Sequence, residues 1–365
     1  MMTQNKISSF EYGILVYFVI RSMSLGISIN SYLYHAGVDG YMCPIIGFII
    51  GFIPIYLIIK ILNYKPELNI NEKIKYLFGK KIGTFINIIL GLFFIFFTTI
   101  IIWNLINFIG SQYLYKTSTT YIAIFLCICF LYISCKNIQV IARETNILFY
   151  VSVILFAICS ISLGTQAKMD NLMPFLEFGF KGPIIGGIMH MIYSILPLFI
   201  LLSIPKSSVK NPNNLNKNII IFYIIGNLAK FVVIFLLISV FGIDLATLYE
   251  YPDYVLLRRI STGGFFQRFE SLLAVQWFFD IYILITLLFY YIKNCYKSIF
   301  NVKNENLIVI FLLPIICLTN SMIFKNNTAG SLFILDKFPI IISIFLITIP
   351  IIIFITMKIK KNRTN

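Results

Sequence analysis

The stretch YGILVYFVIRSMSLGISINSYL, residues 12–33, decides how the rest of the chain is read. At 1.5 Å per helical residue it is long enough to cross the roughly 30 Å hydrocarbon core of a bilayer. Its middle is nevertheless occupied by Arg21 and, three residues on, by Ser24-Leu25-Gly26. A charge at the centre of a membrane helix costs at least about 2.5–3.5 kcal/mol, and a helical Gly about 1 kcal/mol. Such a patch at bilayer depth points to a binding site if the remainder of the chain is a membrane bundle.

Nine more apolar blocks follow, at about residues 42–62, 84–112, 120–135, 145–163, 184–202, 218–241, 267–291, 306–323 and 338–357. The expected fold is therefore an all-α polytopic membrane protein of about ten transmembrane helices, forming a single transmembrane domain over residues 1–365. Composition agrees: the 365 residues are 59% hydrophobic and 12% charged, where soluble domains carry about 25% charged residues. The first nine residues are polar and the run after them is full length, so no cleavable signal peptide is expected.

Placing the N-terminus inside puts 19 Lys and Arg on that side and 8 on the other, with Arg21 and Lys230 within spans. The asymmetry predicts that both termini are cytoplasmic. The net charge of +15 then reads as topology and attraction to anionic membrane lipid, and no nucleic-acid motif accompanies it. The seven Cys form no CxxC, and His35 and His190 stand apart from them, so neither a metal site nor any other cofactor is expected. His190 reads as a packed histidine. No nucleophile elbow or phosphate loop is present, and no catalytic activity is expected.

The ten blocks divide into two sets of five with similar rhythm, about 1–165 and 166–365. Trp103 in the third span answers Trp277 in the eighth. Because five is odd, the second set enters from the opposite face, giving a 5+5 inverted repeat of the kind many secondary transporters use. The first and sixth spans are then where helices should be discontinuous. Gly26 supplies a break in the first. In the sixth, Gly186-Gly187 precede Tyr193-Ser194-Ile195-Leu196-Pro197, and Pro197 lacks an N–H. The alternative is that the small residues only permit close helix packing and Pro197 only bends its helix.

Arg21, Lys230 and Asp280 lie deep in spans one, seven and eight, so Asp280 is expected to pair with Arg21 or Lys230. The pair could be purely structural, locking these spans, or a fixed cation could stand in for a coupling ion. Asn104 and Asn107 share a helix face with Trp103 nearby and could line a polar cavity. Residues 244–264 combine charges with Leu248, Tyr251, Leu256, Leu257 and Ile260 at helix-like spacing. They suggest a short outer helix that serves as a lid or a docking face.

This outer region carries a resemblance. Tyr251-Pro252, Arg258-Arg259-Ile260, Phe266-Gln267-Arg268-Phe269-Glu270 and Trp277 resemble the B-subunit, or spore permease, family of spore germinant receptors. Asn171-Leu172-Met173-Pro174, Ile141-Ala142-Arg143, and Lys80 between Gly79 and Gly83 are similar to that family too. The resemblance implies a branch of the amino acid–polyamine–organocation transporter superfamily. It also implies action with A and C subunits in the spore inner membrane, sensing a small-molecule germinant such as an amino acid. By that analogy the ligand would touch Ser24, Leu25, Gly26, Tyr193, Ser194, Asn104 and Asp280, with Tyr251, Pro252, Arg258, Arg259, Arg268 and Glu270 in the outer lid or docking segment. An active transporter of amino acids or polyamines and a non-binding scaffold subunit are the alternatives.

Overall fold

The computed structural model describes residues 6–177, 179–257, 269–300, 302, 304–320, 323–324 and 326–364. The first helix, α1 (Ser9–Arg21), begins on a capping box. Ser8 Oγ accepts from the Glu11 amide at 3.0 Å, while Glu11 Oε2 accepts from the Ser8 amide at 2.6 Å. These reciprocal bonds satisfy amides that the first helical turn leaves free. After a break at Ser24–Ser28 the chain resumes as α2 (Ile29–Ala36), then turns through a short 3₁₀ segment at Gly37–Met42 into α3 (Cys43–Ile50) and α4 (Phe52–Asn63).

That turn reverses the chain. Against the long helix α10 (Leu215–Ala246), Gly13 packs on Phe222 and Ile20 on Gly226, whereas Gly40 meets Ile238 and Gly51 meets Tyr223. The chain therefore ascends α10 along α1 and descends along α3. Two of the ten expected spans thus lie in one apolar helical stretch of 55 residues, Ser9–Asn63. It is one of seven long enough to cross a membrane among the described residues.

A short connecting helix follows, α5 (Ile70–Phe78), again opened by a capping box, Asn69 with Glu72. Its Lys73 is buried because Nζ donates to the Ile61 and Leu62 carbonyls at 2.8 and 3.1 Å, the free carbonyl end of α4. Burial lowers the Lys73 ammonium to about 8. Beyond it run α6 (Lys80–Gln112), the shorter α7 (Thr119–Ser134) and α8 (Ile138–Gly164).

The sixth span changes pitch twice. It is α-helical in α9 (Lys181–His190), a wide π-turn at Met191–Ile195, and a tight 3₁₀ coil at Leu196–Ser203. Gly186-Gly187 also pack closely, as the alternative reading held: a Cβ on Gly47 would lie 2.6 Å from the Gly187 carbonyl, so α3 and α9 approach nearly backbone to backbone. The remaining helices are α11 (Pro252–Leu257), α12 (Phe269–Phe300), the short α13 (Asn306–Thr319), α14 (Asn327–Asp336) and α15 (Phe338–Thr364). Among the described residues, every expected block is predominantly helical. The described strands are one two-residue parallel pair, Ile7–Ser8 with Val209–Lys210.

Large apolar side chains remain exposed on the helix flanks, among them Ile49, Phe125, Ile154 and Phe311 at 60–67%. In water this would be costly; against lipid tails it is the natural outer surface. The molecule is an all-α polytopic membrane protein.

Candidate functional site

The break in span one is made by two residues. Leu25 has ψ 108°, which turns its carbonyl out of the helix, and Gly26 has φ 65°, in the left-handed region that side chains disfavour. Asn104 Nδ2 of α6 donates to the displaced Leu25 carbonyl at 3.0 Å. Neighbouring hydroxyls satisfy the carbonyls before the break: Ser22 Oγ donates to Val19 and Ser24 Oγ to Arg21, each at 2.8 Å. Irregular backbone is tolerated at bilayer depth when protein groups occupy it in this way.

Arg21, just before the break, is 3% exposed and gathers four partners. Its Nη2 lies 3.1 Å from Asp280 Oδ2 and 3.1 Å from Gln276 Oε1 of α12. Its Nη1 donates to Ser152 Oγ of α8 at 3.2 Å and to the Tyr17 hydroxyl. The guanidinium also sits over the Tyr17 and Phe156 rings. Of the two candidate cations, then, Arg21 is the one paired with Asp280. The ion pair ties span one to span eight, and the bond from Arg21 to Ser152 adds span five; span seven, which carries Lys230, is not part of it.

Lys230, on α10, is placed differently. It is 4% exposed, and among the described residues no carboxylate lies within ion-pair distance. Its Nζ donates instead to Ser28 Oγ at 2.9 Å and Ser194 Oγ at 2.7 Å. Ser28 closes the break in span one and Ser194 sits in the π-turn of span six, so one buried ammonium staples the two irregular segments together. Tyr193, next to Ser194, donates its hydroxyl to the Ile334 carbonyl of α14. His190 is fully buried in a relay: the Tyr32 hydroxyl donates to Nδ1 at 2.8 Å, and Nε2 meets Asn227 Oδ1 at 2.6 Å. The Asn227 amide is fixed by its own bond to the Tyr223 carbonyl.

The outer segment does not lie loosely over the mouth. In α11, Pro252, Asp253, Tyr254, Leu256 and Leu257 are all buried. Tyr251 is 1% exposed, and its ring is the nearest neighbour of Gly26: a Cβ there would come within 2.6 Å of it. Phe108 of α6 packs edge-on against the same ring, centroids 5.0 Å apart. Asn30 Nδ2 ties α2 to the Glu250 carbonyl at 2.7 Å. Arg258, Arg259 and Arg268 lie outside the described residues, as does the side chain of Glu270, in the first turn of α12.

Asp253 is 1% exposed, and neither of its carboxylate oxygens has a hydrogen-bond partner among the described residues. Burial pushes its carboxyl up to about 7, against the opposing pull of the nearby Tyr254 and Asp253 backbone amides and, more weakly, of Lys230. An aspartate in the unfolded chain titrates near about 3.9. The folded state therefore holds more protons between about pH 4 and 7, and stability falls as pH rises through that window. Asp253→Asn is expected to remove this slope, which for one group can reach about 1.4 kcal/mol per pH unit. Unfolding free energies of parent and variant at pH 5 and pH 8 check it: the variant should gain on the parent at pH 8. Parallel profiles would refute the assignment.

The profile described as "Spore germination protein", the spore permease family, matches residues 6–329. The chain belongs to the spore germination protein family. It is 24% identical over 331 residues to spore germination protein YndE of Bacillus subtilis (strain 168), which covers 89% of this chain and 88% of that protein.

Within this spore germination family member, the two asparagines of α6 part company. Asn104 serves the break. Asn107 and Trp103 line a separate cavity of about 160 Å³ with Asn320, Asn326 and Asn327, and Asn107 Nδ2 has no partner there among the described residues. Sequence reasoning misses Ser28, whose hydroxyl shares Lys230, and it places Asp253 only among the charges of the 244–264 segment, whereas the carboxylate is buried. The Ser24–Ser28 spacing of one helical turn was the available signal for the first. For Asp253, a carboxylate inside a run of otherwise buried apolar residues was the signal.

Proposed function

We propose that this protein is the nutrient-sensing membrane subunit of a spore germinant receptor. In this reading it lies in the spore inner membrane with both termini cytoplasmic and is built from two inverted halves of five spans. It works beside A- and C-type subunits, and a small germinant, an amino acid in size and charge, binds where the breaks of spans one and six meet.

The observation that carries the reading is Lys230, a buried cation whose partners are two neutral hydroxyls, Ser28 and Ser194. A carboxylate is a stronger acceptor for an ammonium than a hydroxyl is. A ligand carboxylate reaching Nζ would displace one or both hydroxyls, and because each belongs to a different break, binding would change how the two segments are held. Asn104, Gly26 and Tyr193 would flank the ligand, and Tyr251, seated on Gly26, would have to move aside to admit it. Asp280, already engaged by Arg21, would act through the packing of span one.

Charged hydrogen bonds contribute about 1.5–3 kcal/mol, so Lys230→Met should raise the germinant concentration for half-maximal response by about 10- to 100-fold. Dose–response curves of spores carrying the variant at normal receptor level, over a panel of amino acids, measure this. An unchanged curve would leave only a scaffold role. A working transporter is the second reading, favoured by the facing breaks themselves. Uptake of labelled amino acids into liposomes holding the purified chain separates the two: substantial accumulation would replace sensing by transport.

A further inference from the structure

An apolar groove of about 240 Å³ opens on the flank of the bundle, between α4, α15 and the 3₁₀ portion of span six. Ile53 and Leu57 form one wall, Ile347 and Pro350 another, and Leu196 with Phe199 form its floor. Ile53 at its rim is 68% exposed, so the groove faces the surroundings of the bundle and not its interior. Within the expected spans 42–62 and 338–357, those surroundings are lipid tails.

One end of this groove is charged in a particular way. One turn beyond Ile53 and Pro350, Tyr56 of α4 and Phe354 of α15 touch across the gap, ring centroids 6.3 Å apart. One turn further, Lys60 lies over the Tyr56 ring at 5.2 Å and Lys358 over the Phe354 ring at 4.9 Å. Both lysines are exposed, and both belong to the side that carries most of the chain's Lys and Arg. At 1.5 Å per residue the pair stands roughly 10–12 Å along the helices from Ile53 and Pro350, the offset between a lipid's upper acyl chain and its phosphate.

We propose that this groove is a binding site for one anionic phospholipid, its acyl chain against Ile53, Leu57, Ile347 and Pro350 and its phosphate on Lys60 and Lys358. The lysines lie on opposite sides of a ring-to-ring bridge, so the phosphate joins α4 to α15, and an apolar tail with an anionic head is the one occupant that satisfies both halves of the site. The tail rests on Leu196 and Phe199, directly after the π-turn that presents Ser194 to Lys230. The lipid therefore buttresses the irregular part of span six.

Native mass spectrometry of the full chain released from detergent micelles, titrated with phosphatidylglycerol or with phosphatidylcholine of the same acyl chains, tests this. Phosphatidylglycerol should bind tighter. The double variant Lys60→Gln, Lys358→Gln should weaken it about tenfold while leaving phosphatidylcholine unchanged. Lys80→Gln, Lys81→Gln, which removes the same charge from exposed positions elsewhere, should leave both lipids within about twofold, the scatter of a nonspecific charge effect. Leu57→Trp fills the groove and should weaken both lipids, with Ile347→Phe as a second filling variant should the first fail to fold. Equal binding of the two lipids, or phosphatidylglycerol binding that ignores the lysine pair or the filled groove, overturns the proposal. So would a dimer that the filling variants dissolve, since a second copy would then be the occupant.

Discussion

Arg21→Met is expected to destabilise the folded protein by about 3–5 kcal/mol, the range found when one partner of a buried ion pair is removed. Methionine replaces the stem of the side chain but gives up the guanidinium's place over the Tyr17 and Phe156 rings. What it cannot replace is the charge. Asp280, 1% exposed, would keep its carboxylate in an apolar interior without the guanidinium 3.1 Å away, and its Oδ1 already has no hydrogen-bond partner among the described residues. Gln276 Oε1 and Ser152 Oγ would each lose a donor as well.

The companion variant separates charge from shape. Arg21→Met with Asp280→Asn leaves no buried charge at the site, and it should recover most of the loss, ending within about 1–2 kcal/mol of the parent. Reversible unfolding in mixed micelles gives both numbers. A single variant that costs less than 1 kcal/mol, or a double variant no better than the single, would mean that the ion pair is not what holds spans one and eight together. The distinction bears on function: if the pair is structural, Asp280 reaches the proposed ligand only by fixing the position of span one.

The helical blocks were legible because each is a continuous apolar run, and a bilayer leaves a helix few alternatives. The break at Gly26 was legible for a related reason: a run of Ser, Leu and Gly beside a charge is a poor continuation of a membrane helix. The end of the seventh span was nearly so, since the expected boundary at residue 241 is followed at once by Gly242, whose φ of 72° bends α10 there. Local chemistry decides such features, and local chemistry is what a sequence displays.

Partner choice is another matter. Arg21 and Lys230 look alike in sequence, each a single cation in an apolar span, and either could have met Asp280. The fold assigns Arg21 the carboxylate because α8 and α12 converge on it, and Lys230 the two hydroxyls because α10 runs beside both breaks. The asymmetry rests on helix packing across more than 200 residues of sequence, as in the contact of Ser28 with Lys230. For the same reason Tyr251 reads as part of a surface lid. Only the packed structure shows its ring filling the space that a glycine leaves.

That space makes Gly26→Ala the second large effect expected. The left-handed backbone costs a non-glycine residue about 1 kcal/mol or more, and the new methyl must displace the Tyr251 ring from a site where Phe108 already holds it. Together these should cost about 2–4 kcal/mol. The two parts can be told apart with Tyr251→Ala, which empties the space over residue 26. In that background Gly26→Ala should lose its steric part and cost only the backbone strain, about 1 kcal/mol, so the pair should couple by at least 1 kcal/mol. Additive costs would show that the ring does not press on the break, and would remove Tyr251 from any gating role. Coupling would mean the reverse: in the native protein the break keeps its shape because a tyrosine just before the outer helix is seated where only a glycine allows it.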